Sequence, residues 1–363
     1  IAVTGSAGKT GTKEMLRLAL QAYGSVHAPE KSFNNHWGVP LTLARMPAET
    51  DYAVIEIGMN HAGEITPLTR LARPHITAIT NVLSVHLGQF ASEEGIAEAK
   101  AEILLGLEQG GVAILNRDNR HFRRLAARAA DVGARIVSFG ADEGADVVAR
   151  RIEAQQDCST VEAEIAGATL LYRVGAPGRH LAENSLVVAA ALSVLGRDPA
   201  PGLAALEQFR APAGRGERTR LTIPGGELLL IDEGYNANPA SVAAALAAMA
   251  SVPRDRHPRR IAVLGDMLEL GPTARELHLG LMPAIDESGV DLVFACGPNM
   301  GALFATLAKR RQGAHAARSD ELAPIVASAL RQGDVVMVKG SLGTRMAPIV
   351  AAIKSLADRT EQA

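Results

Sequence analysis

The run Thr4-Gly5-Ser6-Ala7-Gly8-Lys9-Thr10 places small residues, a lysine and a hydroxyl in an order suited to phosphate oxygens. Glycine lets a backbone curl tightly enough for successive N–H groups to converge. Those amides and the start of a following helix make an anion pocket. Lys9 is spaced to reach outer phosphates, and Thr10 to set its hydroxyl on Mg²⁺. Apolar residues precede the loop, and Met15, Leu16, Ala19 and Tyr23 follow at helical spacing. The match to GxxxxGK(S/T) is incomplete, because Val3 stands where the first glycine belongs. The GxGxxG run of dinucleotide folds is absent at this strand, and a loop-tip lysine suits a triphosphate better. Gly5, Ser6, Ala7, Gly8, Lys9 and Thr10 therefore read as a nucleotide phosphate loop.

Other side chains point to the same rim. Glu56 interrupts the apolar Val54-Ile55-Glu56-Ile57, and a carboxylate in a buried strand needs a metal or an ion-pair partner. His86 follows the apolar stretch 76–82, so it is either a satisfied surface or core histidine or a functional group at the strand's carboxyl end, where such sheets bind ligands. Lys100 falls on the apolar side of a helix that starts near Ser92, beside Ile96, Ala99, Ile103, Leu104 and Leu107. It either snorkels past these neighbours or is buried as an amine of depressed pKa in a site. Asn34, Asn35, Asn60, Glu64, Asn116 and Asp118 add polar groups to nearby loops, as ligands or as turn and cap residues. A second cluster comprises Asp232, Glu233, Tyr235, Asn236 and Asn238, then Asp266 and Glu269, then Lys339 and Ser341. Each part follows an apolar strand, although Asn238 or Ser241 could instead cap the helix after Pro239.

The elements that position these groups are α/β. Residues 1–4, 52–59, 76–82, 112–116 and 135–139 read as short strands with helices between several of them. That pattern predicts a mostly parallel sheet covered on both faces. Between 147 and 174, Val161, Ala163 and Ile165 alternate with Glu162 and Glu164, predicting a small antiparallel section. A helix is expected over 182–195. The small-residue stretch 210–216 reads as a linker. It divides a P-loop-like domain, residues 1–212, from a Rossmann-like domain, residues 213–363. Strands at 228–231, 261–264, 292–295 and 335–338 are expected in the second, with helices from Ala240, Ala274, Met300, Glu321 and Met346.

Composition narrows the function. Over 363 residues the net charge is -2 and aromatics are 3%, which leaves neither a basic stripe nor stacking platforms for nucleic acid. Cys158 and Cys296 are too few and too far apart for a disulfide framework or a metal site. No apolar run is long enough to span a membrane.

The chain resembles the Mur ligase family over nearly its whole length. The resemblance rests on Thr4–Thr10, Asn35-His36-Trp37-Gly38-Val39-Pro40, Val54–Asn60 with Gly63-Glu64-Ile65, and Lys100. Asp232, Tyr235-Asn236-Ala237-Asn238-Pro239, Gly265-Asp266-Met267 with Glu269, and Lys339-Gly340-Ser341 complete it. It implies ATP-driven conversion of a carboxylate to an acyl phosphate, which an amine then attacks. The Tyr235–Pro239 string implies the dipeptide-adding branch, with a UDP-N-acetylmuramoyl-tripeptide acceptor and D-alanyl-D-alanine as amine. By position, Lys9 and the loop amides would hold phosphates, and Thr10 and Glu56 one Mg²⁺. His86 and a carbamoylated Lys100 would serve a second. Asn184 would meet the adenine, and Arg215 and Asp232 the nucleotide. Asn35, Asn60, Asn236, Asn238, Lys339 and Ser341 would line the substrates. The linker is expected to move so that the site closes. A cytoplasmic monomer is expected, preceded by a domain for the UDP-sugar, so residues 1–363 alone should bind ATP better than they ligate. Ala7, Gly11 and Glu233 depart from the family's usual asparagine, threonine and shorter residue. A folylpolyglutamate synthase-like ligase and a nucleotide-binding module without ligase activity are the rival readings.

Overall fold

The computed structural model describes residues 1–84, 88–90 and 92–358, and the described chain divides into two compact units on either side of the Arg210–Ala211 junction. In the first unit the chain runs β1 (Ala2–Thr4), α1 (Lys9–Leu20), β2 (Val26–His27), α2 (Gly38–Ala44), β3 (Tyr52–Ala53) and β4 (Ile55–Glu56). It continues through α3 (Ile65–Ala72), β5 (Ile76–Ile79), α4 (Glu93–Ala101), β6 (Val112–Asn116), α5 (Phe122–Asp131) and β7 (Arg135–Gly140). The hairpin strands β8 (Val147–Ala154), β9 (Ser159–Ile165) and β10 (Ala168–Val174) precede α6 (Arg179–Val194) and α7 (Pro199–Ala205).

The main sheet has the order β10-β9-β8-β7-β6-β5-β1-β4. Strands β4 to β8, with β1, pair in parallel, and β8, β9 and β10 pair antiparallel. This is the mixed sheet that the change of pattern at 147 predicts. Its β1 lies between β4 on one side and β5 on the other. Such a strand is a switch point, where loops leave in opposite directions and open a crevice for ligands.

The strand expected over 52–59 is broken in two. Tyr52–Ala53 pairs with β2 in a separate two-stranded sheet, and Ile55–Glu56 pairs with β1. The change of partner occurs at Val54, whose N–H donates to His27 O at 2.8 Å while Ile55 N donates to Ile1 O at 2.8 Å. Helix α4 begins where its sequence says it should. Ser92 accepts the Gly95 N–H at 3.3 Å, and Glu93 and Glu94 put negative charge in the first turn.

The second unit runs β11 (Glu217–Ile223), β12 (Gly226–Glu233), α8 (Pro239–Ala250), β13 (Arg259–Gly265), α9 (Ala274–Leu279) and α10 (Met282–Glu287). It ends with β14 (Leu292–Cys296), α11 (Pro298–Thr306), β15 (Gln312–Ala316), α12 (Ser319–Ala329), β16 (Asp334–Lys339) and α13 (Ala347–Asp358). Its sheet has the order β11-β12-β16-β13-β14-β15, parallel except for β11. Alternate residues feed two separate cores. Leu229, Ile231, Ala262, Leu264, Val335 and Met337 join one, and Leu228, Leu230, Ile261, Val263, Val336 and Val338 the other. Helices cover both faces, which is why these strands read as unbroken apolar runs. The two edge strands, β11 and β15, carry polar residues and were not expected from the sequence.

Candidate active site

The first residues to assemble are those of the phosphate loop. It leaves β1 and enters α1 at Lys9. Gly8 has φ 82°, and a Cβ there would lie 2.4 Å from Asn184 Nδ2. Gly5 is more crowded still: a Cβ on it would stand only 1.9 Å from Thr80 Oγ1. Asn81 shapes the loop from β5's carboxyl end: its Oδ1 accepts the Ala7 N–H at 2.9 Å and its carbonyl the Ser6 N–H at 3.0 Å. Thr80 Oγ1 donates to Ala7 O at 2.6 Å. Lys9 folds back to donate to Gly5 O at 2.7 Å. Gly8→Ala is therefore expected to weaken ADP binding at least about tenfold and to destabilise by about 1–3 kcal/mol from the left-handed backbone. Nucleotide titration and thermal melting check both effects.

Glu56, at the end of β4, is completely buried. Its Oε1 accepts from Thr10 Oγ1 at 3.1 Å and from Asn34 Nδ2 at 2.7 Å. Its Oε2 is buried with no hydrogen-bond partner among the described residues. Thr10 Oγ1 also lies 3.0 Å from Ser32 Oγ. The structure thus brings Thr10 and Glu56 together beside the loop. Among the described residues no group of three or more His, Cys, Asp or Glu side chains converges. An orphaned carboxylate oxygen beside a threonine hydroxyl nevertheless fits Mg²⁺, which takes few protein ligands and completes its shell with phosphate oxygens and water.

Lys100 is 2% exposed on α4, so it is buried and does not snorkel to solvent. Burial, and secondarily the charge of Lys9, pushes its amine well below the usual lysine value. His86 lies outside the described residues.

Several polar residues take local roles. Asn35 Oδ1 accepts the Trp37 and Gly38 N–H groups at 3.1 and 2.9 Å, at the start of α2, while Asn34 reaches Glu56. Asn60 is exposed, and its N–H donates to Glu64 Oε2 at 2.7 Å. Asn184 is buried on α6 with its amide against Gly8. Lys13 is a residue that sequence reasoning missed. It is fully buried on α1, donates to Pro29 O at 2.8 Å and pairs with Glu14. Its spacing from Leu16 and Leu20 on α1 is the signal that could have found it.

The second unit gathers its own rim. Glu233 and Lys339 are register partners on β12 and β16. Lys339, 3% exposed, donates to Glu233 Oε2 and to Asn236 O, both at 3.1 Å. Ser341 Oγ accepts from Leu268 N at 2.9 Å and donates to Ala237 O at 3.3 Å. Asn238 caps α8: its Oδ1 accepts the Ser241 N–H at 2.9 Å, and Ser241 Oγ answers the Asn238 N–H at 3.0 Å. Asn236 Oδ1 accepts the Ala237 N–H at 2.9 Å and the residue is exposed. Arg215 lies over the Tyr235 ring at 4.0 Å. Burial raises the Asp232 carboxyl above its usual value.

Comparison with known proteins gives the family. Residues 3–192 match the Mur ligase middle domain, and residues 214–342 the Mur ligase glutamate ligase domain. The chain is 32% identical over 358 residues to the Escherichia coli UDP-N-acetylmuramoyl-tripeptide--D-alanyl-D-alanine ligase, covering 98% of this chain and 76% of that one. It is 34% identical over 376 residues to the Mycobacterium bovis protein of the same name, covering 97% and 72%. A crystal structure of MurF from Acinetobacter baumannii superposes with a TM-score of 0.86 at 29% identity, covering 98% of this chain and 76% of that one. With its middle domain matched over residues 3–192 and its ligase domain following, the chain belongs to the Mur ligase family.

Proposed function

We propose that the chain is an ATP-dependent amide ligase that adds D-alanyl-D-alanine to UDP-N-acetylmuramoyl-tripeptide in peptidoglycan precursor synthesis. The observation that carries the reading is the Thr10–Glu56 contact at 3.1 Å beside the phosphate loop, with Glu56 Oε2 left unpartnered among the described residues. The relatives' shared name supplies the substrate pair.

In this reading the amides of Gly5–Thr10 and Lys9 bind the triphosphate, and Asn184, whose amide lies against Gly8, is assigned to the adenine. The tripeptide's terminal carboxylate attacks the γ-phosphorus, giving an acyl phosphate and ADP. The dipeptide's amine then attacks the acyl carbon, and the tetrahedral intermediate expels phosphate. Fixed donors aimed at the crowded oxygens lower both barriers. Thr10 and Glu56 would hold Mg²⁺, with carbamoylated Lys100 and, by its place in the sequence, His86 at a second ion; bound Mg²⁺ neutralises phosphate charge. Arg215 and Asp232 are assigned to the nucleotide from the second unit. Asn236, Lys339 and Ser341 are assigned to the amine side, with Lys339 shaping the Asn236 turn through its carbonyl. Asn35, Asn60 and Asn238 are assigned to substrates through the turns and caps they build. We place the reaction in the cytoplasm, where ATP and UDP-linked precursors occur, and treat the chain as a monomer. No helix among the described residues is long and apolar enough to cross a membrane.

Phosphate release by the full-length protein with ATP tests this. Release should require both the UDP-linked tripeptide and the dipeptide; release indifferent to both rejects the ligase and favours a plain nucleotide-binding role.

A further inference from the structure

One fully buried histidine has no part in the chemistry above. His278, on α9, has no exposed surface. Its Nδ1 lies 2.6 Å from Ala274 O, which can only accept, so Nδ1 carries the proton. Its Nε2 then accepts the Met267 N–H at 2.9 Å. A polar ring in a core is costly unless its nitrogens are partnered, and here both partners are main-chain groups. Asp266 Oδ1 stands 3.8 Å from Nε2.

Met267 belongs to the loop that follows β13, and this loop fastens the others. The Asp266 carboxylate accepts the Met300 and Asn299 N–H groups at 2.6 and 3.2 Å, at the start of α11. The Asp266 carbonyl accepts the Ser341 N–H at 3.1 Å and Thr344 Oγ1 at 2.9 Å. Leu268 N donates to Ser341 Oγ, which in turn donates to Ala237 O. Three loops, after β12, β13 and β16, are thus tied through one segment, and His278 pins that segment from within the core. Glu269, in the same segment, holds a left-handed φ of 62°, a conformation a non-glycine residue keeps only when its surroundings fix it.

We infer that His278 is a positioning residue for the incoming amine: acting through Met267, it holds the 266–270 loop so that Ser341 and the Asn236–Asn238 turn keep one arrangement. This rests on the ligase reading above. A merely structural histidine would affect stability and all kinetic constants together. A positioning residue moves the dipeptide KM and leaves the ATP KM alone.

The test uses full-length protein carrying His278→Gln, His278→Asn or His278→Phe, with dipeptide and ATP KM values from phosphate release and melting temperatures alongside. A glutamine amide reaches the place of Nε2 and keeps an acceptor for Met267. An asparagine amide reaches only the place of Nδ1. The glutamine variant is expected to keep the dipeptide KM within about threefold of the parent. The asparagine and phenylalanine variants should raise it about tenfold or more, the scale of leaving one buried donor unpaired. ATP KM should stay constant throughout. Should phenylalanine prevent folding, the glutamine–asparagine contrast decides. Equal dipeptide KM values in those two, or an ATP KM that moves in step, overturns the inference. A parent enzyme whose phosphate release ignores the dipeptide overturns the ligase reading and the inference together.

Discussion

Lys100→Ala is expected to lower ligation about 100-fold, the upper range for losing a group that supports a bound metal, and added acetate to restore part of it. This lysine is 2% exposed, and its amine is pushed well below its usual value by burial and by Lys9. A neutral amine can attack carbon dioxide: the N–C bond forms, one proton leaves to solvent, and an anionic carbamate results. That product replaces an amine, whose charged form burial and Lys9 disfavour, with an anionic carboxylate-like group. Alanine leaves space into which a small carboxylate can diffuse. Lys100→Arg fills the space with a permanent charge, so acetate should not rescue it. Steady-state phosphate release with and without acetate measures both variants. Full activity of Lys100→Ala without any carboxylate would remove the carbamate from the proposal.

The second large effect is expected at Glu56. Glu56→Gln keeps a carbonyl oxygen for Asn34 and Thr10 but removes the charge from the position of the orphaned Oε2. Turnover should fall about 100-fold or more, and half-maximal activity should need more Mg²⁺. Thermal stability should hold or rise, because an amide is less costly to bury without a partner than a carboxylate. Stability gained with activity lost is the mark of a site kept strained for function. A variant that loses stability and activity in parallel would instead make Glu56 an ordinary structural acid.

Much of this arrangement was legible in the residues. The loop at Gly5–Thr10, the buried glutamate in β4 and the lysine on the apolar side of α4 each broke a local pattern, and broken patterns are readable. The parallel strands were equally visible, since strands covered on both faces need continuous apolar runs. The edge strands β11 and β15 were hidden for the converse reason: facing solvent on one side, they carry polar residues that look like loop. The split at Val54 was hidden because a change of hydrogen-bond partner leaves no mark on hydrophobicity.

Among site residues, proximity in sequence misled where two neighbours looked alike. Asn34 and Asn35 differ by one position, yet one reaches Glu56 and the other accepts the Trp37 and Gly38 N–H groups in the turn that leads into α2. Thr80 and Asn81 were readable in principle, because they follow an apolar strand as Asp266 and Ser341 do. His278 was not, because its Nε2 partner is a backbone N–H eleven residues away whose closeness exists only after α9 packs.

The division of alternate strand residues between two cores in the second unit has a consequence for how this protein can change over generations. Deleting a single codon inside β16 would transpose Val335 and Met337 with Val336 and Val338, giving each side of the sheet shapes made for the other. Insertions and deletions are thereby confined to the segments joining strands to helices. New substrate preferences in such a unit must then come from altered loop length at the sheet's carboxyl edge, while the strands drift only by like-for-like exchange.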